Sequence, residues 1–249
     1  MHHLLASYTN DLAQDASNVA LGAITDQAVN ISNGRYQFIQ DVQIKAALGL
    51  IADGTNLRIN TPSLRRITLP SIAPIQAAVA PSDWPPIIYY DEYGPIIEKT
   101  EELSLEASRG GAGAGDAFAF LWCQYAKRMA PPGAIYTLRA TSTITVAEGA
   151  WAAGNITLDQ TLPAGRYAVV GMAAYGTNLL AARLIFPNQT PRPGVVAQQA
   201  AGQWNDDMMR MGRFGLFGEF VSYAQPMLEC IGSGANTAQT VFLDVVKVS

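Results

Sequence analysis

The 249-residue chain carries 16 Lys and Arg against 20 Asp and Glu, a net charge of -4, with 14% charged and 49% hydrophobic residues. The acidic balance argues against a dedicated nucleic-acid binder, whose domain is usually basic, and no unbroken run of about 18 apolar residues offers a helical membrane span. Soluble domains carry roughly a quarter charged residues, so a surface this poor in charge implies a cover, and copies of the same chain are the simplest one.

The start, Met1-His2-His3-Leu4-Leu5, lacks the basic and long apolar stretches of a secretion signal, which fits synthesis in a reducing cytoplasm. Residues 1–33 are mixed and are predicted to form an N-terminal arm or a short helix. A first β-rich module is predicted over 34–107. Tyr36, Phe38, Val42 and Ile44 sit at period two, as in a half-buried strand bulged near Gln40. Asp53-Gly54 marks a tight turn before a strand over 57–60. Short strands are predicted over 66–69, 87–90 and 98–107, with a Pro/Ala-rich loop over 70–86.

Residues 108–132 are read as a Gly/Ala hinge and a helix. Asp116 would cap a helix over 116–129 whose apolar side is Phe118, Leu121, Trp122 and Tyr125, and Pro131-Pro132-Gly133 would stop it. A second β-rich module follows over 133–249, with strands over 135–146, 155–158, 166–172, 179–186, 214–223, 227–231 and 240–248. A second helix is predicted over 198–211. So many short strands between proline-rich connections predict an all-β, antiparallel β-sandwich with one or two short helices. Residues 34–249 fit one domain or two β-modules. A weak internal echo is compatible with two, and equally with chance: Gly34-Arg35-Tyr36, Gly54-Thr55-Asn56 and Thr61-Pro62 return as Gly165-Arg166-Tyr167, Gly176-Thr177-Asn178 and Thr190-Pro191.

The chemistry is sparse. The only histidines are His2 and His3, and no HExxH, CxxC or Walker-type loop is present. Cys123 and Cys230 read as small buried hydrophobes. No catalytic set, metal site or cofactor is predicted. Arg58, Arg65 and Arg66 form a basic cluster suited to a neighbouring subunit or, less well, to a phosphate backbone. Trp84, Tyr89, Tyr90, Tyr93 and Trp151 could stack on a sugar, although such residues more often fill cores and interfaces. Glu98, Glu101, Glu102 and Glu106 read as an exposed strand face.

Two resemblances follow from these residues. Gly113-Ala114-Gly115-Asp116-Ala117-Phe118 resembles the GAGD signature of ribokinase-like sugar kinases and implies Asp116 as the base. The match covers only these six residues, and Ser108-Arg109-Gly110 stands where the family has a strand ending in Asp-Thr, so a hinge with a capping aspartate is the preferred reading. More broadly, 165–186, the loop 187–194, 214–223 and 240–248 resemble the β-rich body of jelly-roll capsid proteins of icosahedral viruses. That resemblance of texture covers about 34–249 and has no diagnostic motif. It implies a structural virion protein, made in the host cytoplasm, that self-assembles into a shell and meets other virion proteins, with no enzymatic activity. A carbohydrate- or receptor-binding β-sandwich of a surface or fibre protein is the alternative, and a sugar kinase the remote one.

Overall fold

The computed structural model describes residues 1–65, 71–73, 75–76, 88–90, 93–125, 128–198, 210–212 and 214–249. The predicted strand over 66–69 and most of the predicted second helix lie outside them. The chain divides into an N-terminal unit, Leu4–Tyr125, and a C-terminal unit, Ala126–Ser249 together with Met1–His3.

Strands form because apolar side chains alternate across the pleat. In the N-terminal unit Ala117, Ala119, Leu121 and Cys123 point into one core, joined by Val42, Ile44, Ala47 and Ile51 of the neighbouring strand. The shift from even to odd numbers on Val42–Ile51 has a local cause. The register slips between Trp122 and Cys123, which face Ala46 and Ile44, so Lys45 is an extra residue that flips the alternation. The predicted bulge therefore lies at Lys45 rather than near Gln40, and the predicted strand around it divides into Arg35–Gln37 and Val42–Ile51.

One sheet of this unit has the strand order Ile88–Tyr89, Val42–Ile51, Gly115–Gln124, His2–Leu12, Gly22–Ala23. The other runs Asn30–Ser32, Arg35–Gln37, Glu102–Arg109, Gly54–Asn60, Ser71–Ala73, with Val19–Ala20 also on Glu102–Arg109. Asn33 and Gly34, both at positive φ (51° and 71°), close the hairpin between Asn30–Ser32 and Arg35–Gln37. Counting the principal strands one to eight along the chain gives the orders 6-3-8-1 and 2-7-4-5, with short segments filling position two.

The C-terminal unit repeats this pattern. Its sheets are Thr157–Leu158, Ile135–Ser142, Gln239–Lys247, Arg166–Tyr175, Gly218–Val221 and Ala152–Asn155, Met227–Gly232, Leu179–Ile185, Gly194–Val196. With the short Thr157–Leu158 set aside, the orders are 1-8-3-6 and 2-7-4-5. The pairings between neighbouring principal strands of this unit are antiparallel. Two four-stranded antiparallel sheets in this order form a jelly roll, so the chain is an all-β sandwich protein with the pattern drawn twice.

The predicted helix over 116–129 is instead the eighth strand of the N-terminal unit, Gly115–Gln124. Phe118, Phe120 and Trp122, on the face opposite the core residues, are also fully buried. A strand buried on both faces is apolar throughout and loses its two-residue signature, which leaves the helical spacing of Phe118, Leu121 and Tyr125 as coincidence. Residues 2–12 likewise form the strand His2–Leu12 rather than an arm or a helix. The one helix among the described residues is the single turn Pro62–Arg65.

Tyr36 ties three segments of the N-terminal unit together. Its buried hydroxyl accepts the Ile24 N–H at 2.8 Å and donates to the Ala6 carbonyl. Tyr36→Phe strands both backbone groups and is expected to cost about 1–3 kcal/mol in urea unfolding.

Candidate functional site

The fourth and seventh strands are neighbours in both units, and each unit sets an arginine on the fourth directly opposite a glutamate on the seventh. In the N-terminal unit Arg58 donates to Glu106 Oε2 through Nε at 2.7 Å and also through Nη2. Asn60 and Ser104 donate to the other oxygen. In the C-terminal unit Arg183 Nε donates to Glu229 Oε2 at 2.6 Å, and Arg192 donates to Oε1. The Arg183 guanidinium lies over the Trp151 ring, 4.0 Å from its centroid, in cation–π contact. Arg183, Arg192 and Glu229 are all buried, whereas the Arg58 side chain remains 27% exposed.

These contacts locate most residues singled out in the sequence. Arg58 belongs to the N-terminal pair. Arg65 ends the short helix, with its side chain outside the described set, and Arg66 and Trp84 lie outside the described residues altogether. The Tyr89 backbone pairs with Ala46, half-buried Tyr90 donates its N–H to Lys45, and Tyr93 is 94% exposed. Trp151 is half-buried, with one ring face covered by Arg183.

Asp116 is the second residue of a strand, and its backbone carbonyl accepts the Ala52 N–H. No helix follows the GAGD turn, so the dipole and free N–H groups that would hold a phosphate are missing from it. The glutamates do not share an exposed strand face either. Glu106 is buried. Glu101 accepts the Ser63 N–H, the Ser63 hydroxyl and the Thr61 hydroxyl, and Glu102 pairs with Arg35 at 2.9 Å. With Glu98, Glu101 and Glu102 border an open cleft of about 510 Å³ in the N-terminal unit.

The sequence reading missed a pattern in the exposed apolar side chains. In the C-terminal unit Ile135 opens the first strand opposite Val246, Val248 donates its N–H to Arg166 at the start of the third, and exposed Tyr223 follows Ser222, which donates to Gly165. Ile135, Tyr223 and Val248 thus flank one end of a sheet, the end where the third strand begins. In the N-terminal unit Ile96 pairs with Gln43 at the start of the third strand. Exposed Ile39 lies just before that strand, and Tyr93 precedes Gly94, whose carbonyl accepts from Gln43. The same topological end is therefore apolar in each unit. The loops at the other end of the C-terminal unit, 143–151, 176–178 and 233–238, are mostly Thr, Gly, Ala, Ser and Asn.

Cys123 and Cys230 are buried and unbridged, and burial pushes both thiols far up. Among the described residues no group of three or more His, Cys, Asp and Glu could hold a metal ion, and no helix is long and apolar enough to cross a membrane.

No family model matches the chain, and no curated protein matches it. Among solved structures it is similar to the crystal structure of the STIV MCP, a major capsid protein. That match has 8% identity over 98% of this chain and 97% of the other, with a TM-score of 0.24, too loose a superposition to bear on function.

Proposed function

We propose that the chain is a structural virion protein that assembles with copies of itself into a shell. The observation that carries this reading is the jelly roll drawn twice, with exposed large apolar side chains at the same end of each unit. Jelly rolls serve capsids, lectins and cupins alike, so the fold alone does not choose among them. A charge-poor surface with apolar ends favours burial against protein: each Å² of apolar area removed from water is worth about 25 cal/mol, and many identical contacts add in a closed shell. In this reading the protein works by packing rather than by catalysis, resides in the virion, and meets other virion proteins through its loops.

Negative-stain imaging and light scattering of purified protein are expected to show discrete large assemblies. Tyr223→Asp with Ile135→Asp should shift them to smaller species. A wild-type protein that stays monomeric at high concentration would overturn the proposal, and variants that assemble like wild type would move the contact away from this end.

A further inference from the structure

His2 and His3 are the only histidines in the chain, they are adjacent, and both are fully buried. His2 packs its ring edge-to-face against Phe217, with centroids 4.5 Å apart, and Phe214, at 5.1 Å. Both of its ring nitrogens are sealed from solvent. His3 accepts the Arg192 backbone N–H at Nδ1, at 2.9 Å. A proton on that nitrogen would replace an acceptor with a second donor facing the N–H.

The two histidines are seated differently, His2 in an apolar cage and His3 as the acceptor of a backbone N–H. Histidine is the side chain whose ordinary titration falls in the mildly acidic range. The chain concentrates both of its histidines at the seat of its first three residues in the C-terminal unit.

We propose that this pair is an acid-released clamp: protonation of His2 and His3 frees Met1–His3 from the C-terminal unit while Leu4–Leu12 continue in their own sheet. Among the described residues, the charged or titratable groups around the pair are the Met1 amino group, Arg128 beside it, and Arg192. Glu229, which accepts from the Arg192 side chain, is already shared by Arg192 and Arg183. A new positive charge therefore enters a cationic, sealed place.

Burial, with repulsion from the Met1 amino group and His3, lowers the His2 value to about 3, and the Gly194 backbone offsets part of this. A value below the ordinary 6.5 means that the His2 share of docking is at full strength above about pH 6.5 and weakens as pH falls toward about 3. The Met1 amino group, its value lowered by burial and Arg128 from 8.0 to about 6, weakens docking in the same direction below about pH 8. At about pH 5 the released form gains about 25-fold over neutral pH from His2 alone. This inference does not depend on shell assembly and can be read on unassembled protein.

The test is hydrogen–deuterium exchange of the full chain at about pH 7 and about pH 5, corrected for intrinsic rates. The amides of His2, His3 and Arg192 are expected to lose protection by at least about 25-fold on acidification, while those of Leu4–Leu12 and Ile135–Ser142 keep theirs. His2→Phe with His3→Asn retains an aromatic ring and an oxygen acceptor but neither proton site, and should lose clearly less protection than the wild type at the lower pH, keeping only the part of the loss due to the Met1 amino group. If circular dichroism shows that the pair of changes prevents folding, His2→Phe alone takes its place and should lose less protection than wild type. Equal protection of the wild type at both pH values, or a folded variant that loses protection as the wild type does, would overturn the proposal.

Discussion

Glu229→Ala is expected to destabilise the protein by about 3–5 kcal/mol, because it removes the carboxylate shared by two buried guanidiniums. Arg183 cannot recover this by turning to water: its side chain is 1% exposed and fixed over Trp151. A buried pair resists loss of one partner far more than loss of all of them. Glu229→Leu combined with Arg183→Met and Arg192→Met should therefore recover much of the stability, since the apolar set needs no counter-charge. Urea unfolding followed by tryptophan fluorescence reads both variants. A triple variant weaker than Glu229→Ala would show that the guanidiniums do more than answer Glu229. The corresponding change in the N-terminal unit, Glu106→Ala, should cost less, because Arg58 keeps access to water.

The ion pairs also show what could be read from the residues alone. Gly54-Thr55-Asn56 opens the fourth strand of one unit and Gly176-Thr177-Asn178 precedes the fourth strand of the other, with Thr61-Pro62 and Thr190-Pro191 after them. That part of the echo marks equivalent places, and the arginine within each echoed strand is the one that meets a glutamate. The Gly-Arg-Tyr words do not correspond: Arg35 lies in a short strand of position two, Arg166 at the start of the third. The all-β class was legible because turns and alternation are local. The glutamate partners were not, since Arg58–Glu106 and Arg183–Glu229 each span 48 and 46 residues and depend on sheet order. Burial on both faces hid the strand Gly115–Gln124 for the same reason: its second face meets residues distant in sequence, as where Tyr8 stacks on Phe118. His2 and His3 looked like a tail because nothing in their neighbours announces that Phe214, Phe217 and Arg192 will close over them.

Asp244→Asn is expected to cost about 3 kcal/mol at neutral pH and progressively less in acid. Asp244 lies on the eighth strand of the C-terminal unit and is fully buried. It accepts the Thr137 hydroxyl at 2.7 Å, Arg210 through Nε at 3.0 Å and Nη2 at 2.7 Å, and the Met211 N–H at 3.1 Å. Gly171 on the adjacent strand makes the room: a Cβ there would stand 2.8 Å from the carboxylate and 2.6 Å from the Arg210 Cα. An asparagine of the same shape turns one accepting oxygen into a donor facing donors, and leaves Arg210 without its counter-charge. Burial alone would push the carboxyl up, but Arg210, the Thr137 hydroxyl and the Met211 N–H outweigh it and hold it below the usual carboxylate range. A lowered folded value means that the stabilisation is complete above the unfolded value of about 3.9 and fades as pH falls through the folded one. The gap between wild type and Asp244→Asn should therefore be flat from neutral pH to about pH 5 and close only in stronger acid. The His2 effect instead begins below about pH 6.5, so the two groups separate on one pH series of unfolding curves. A gap that narrows already between about pH 7 and pH 5 would assign the loss to a group other than Asp244.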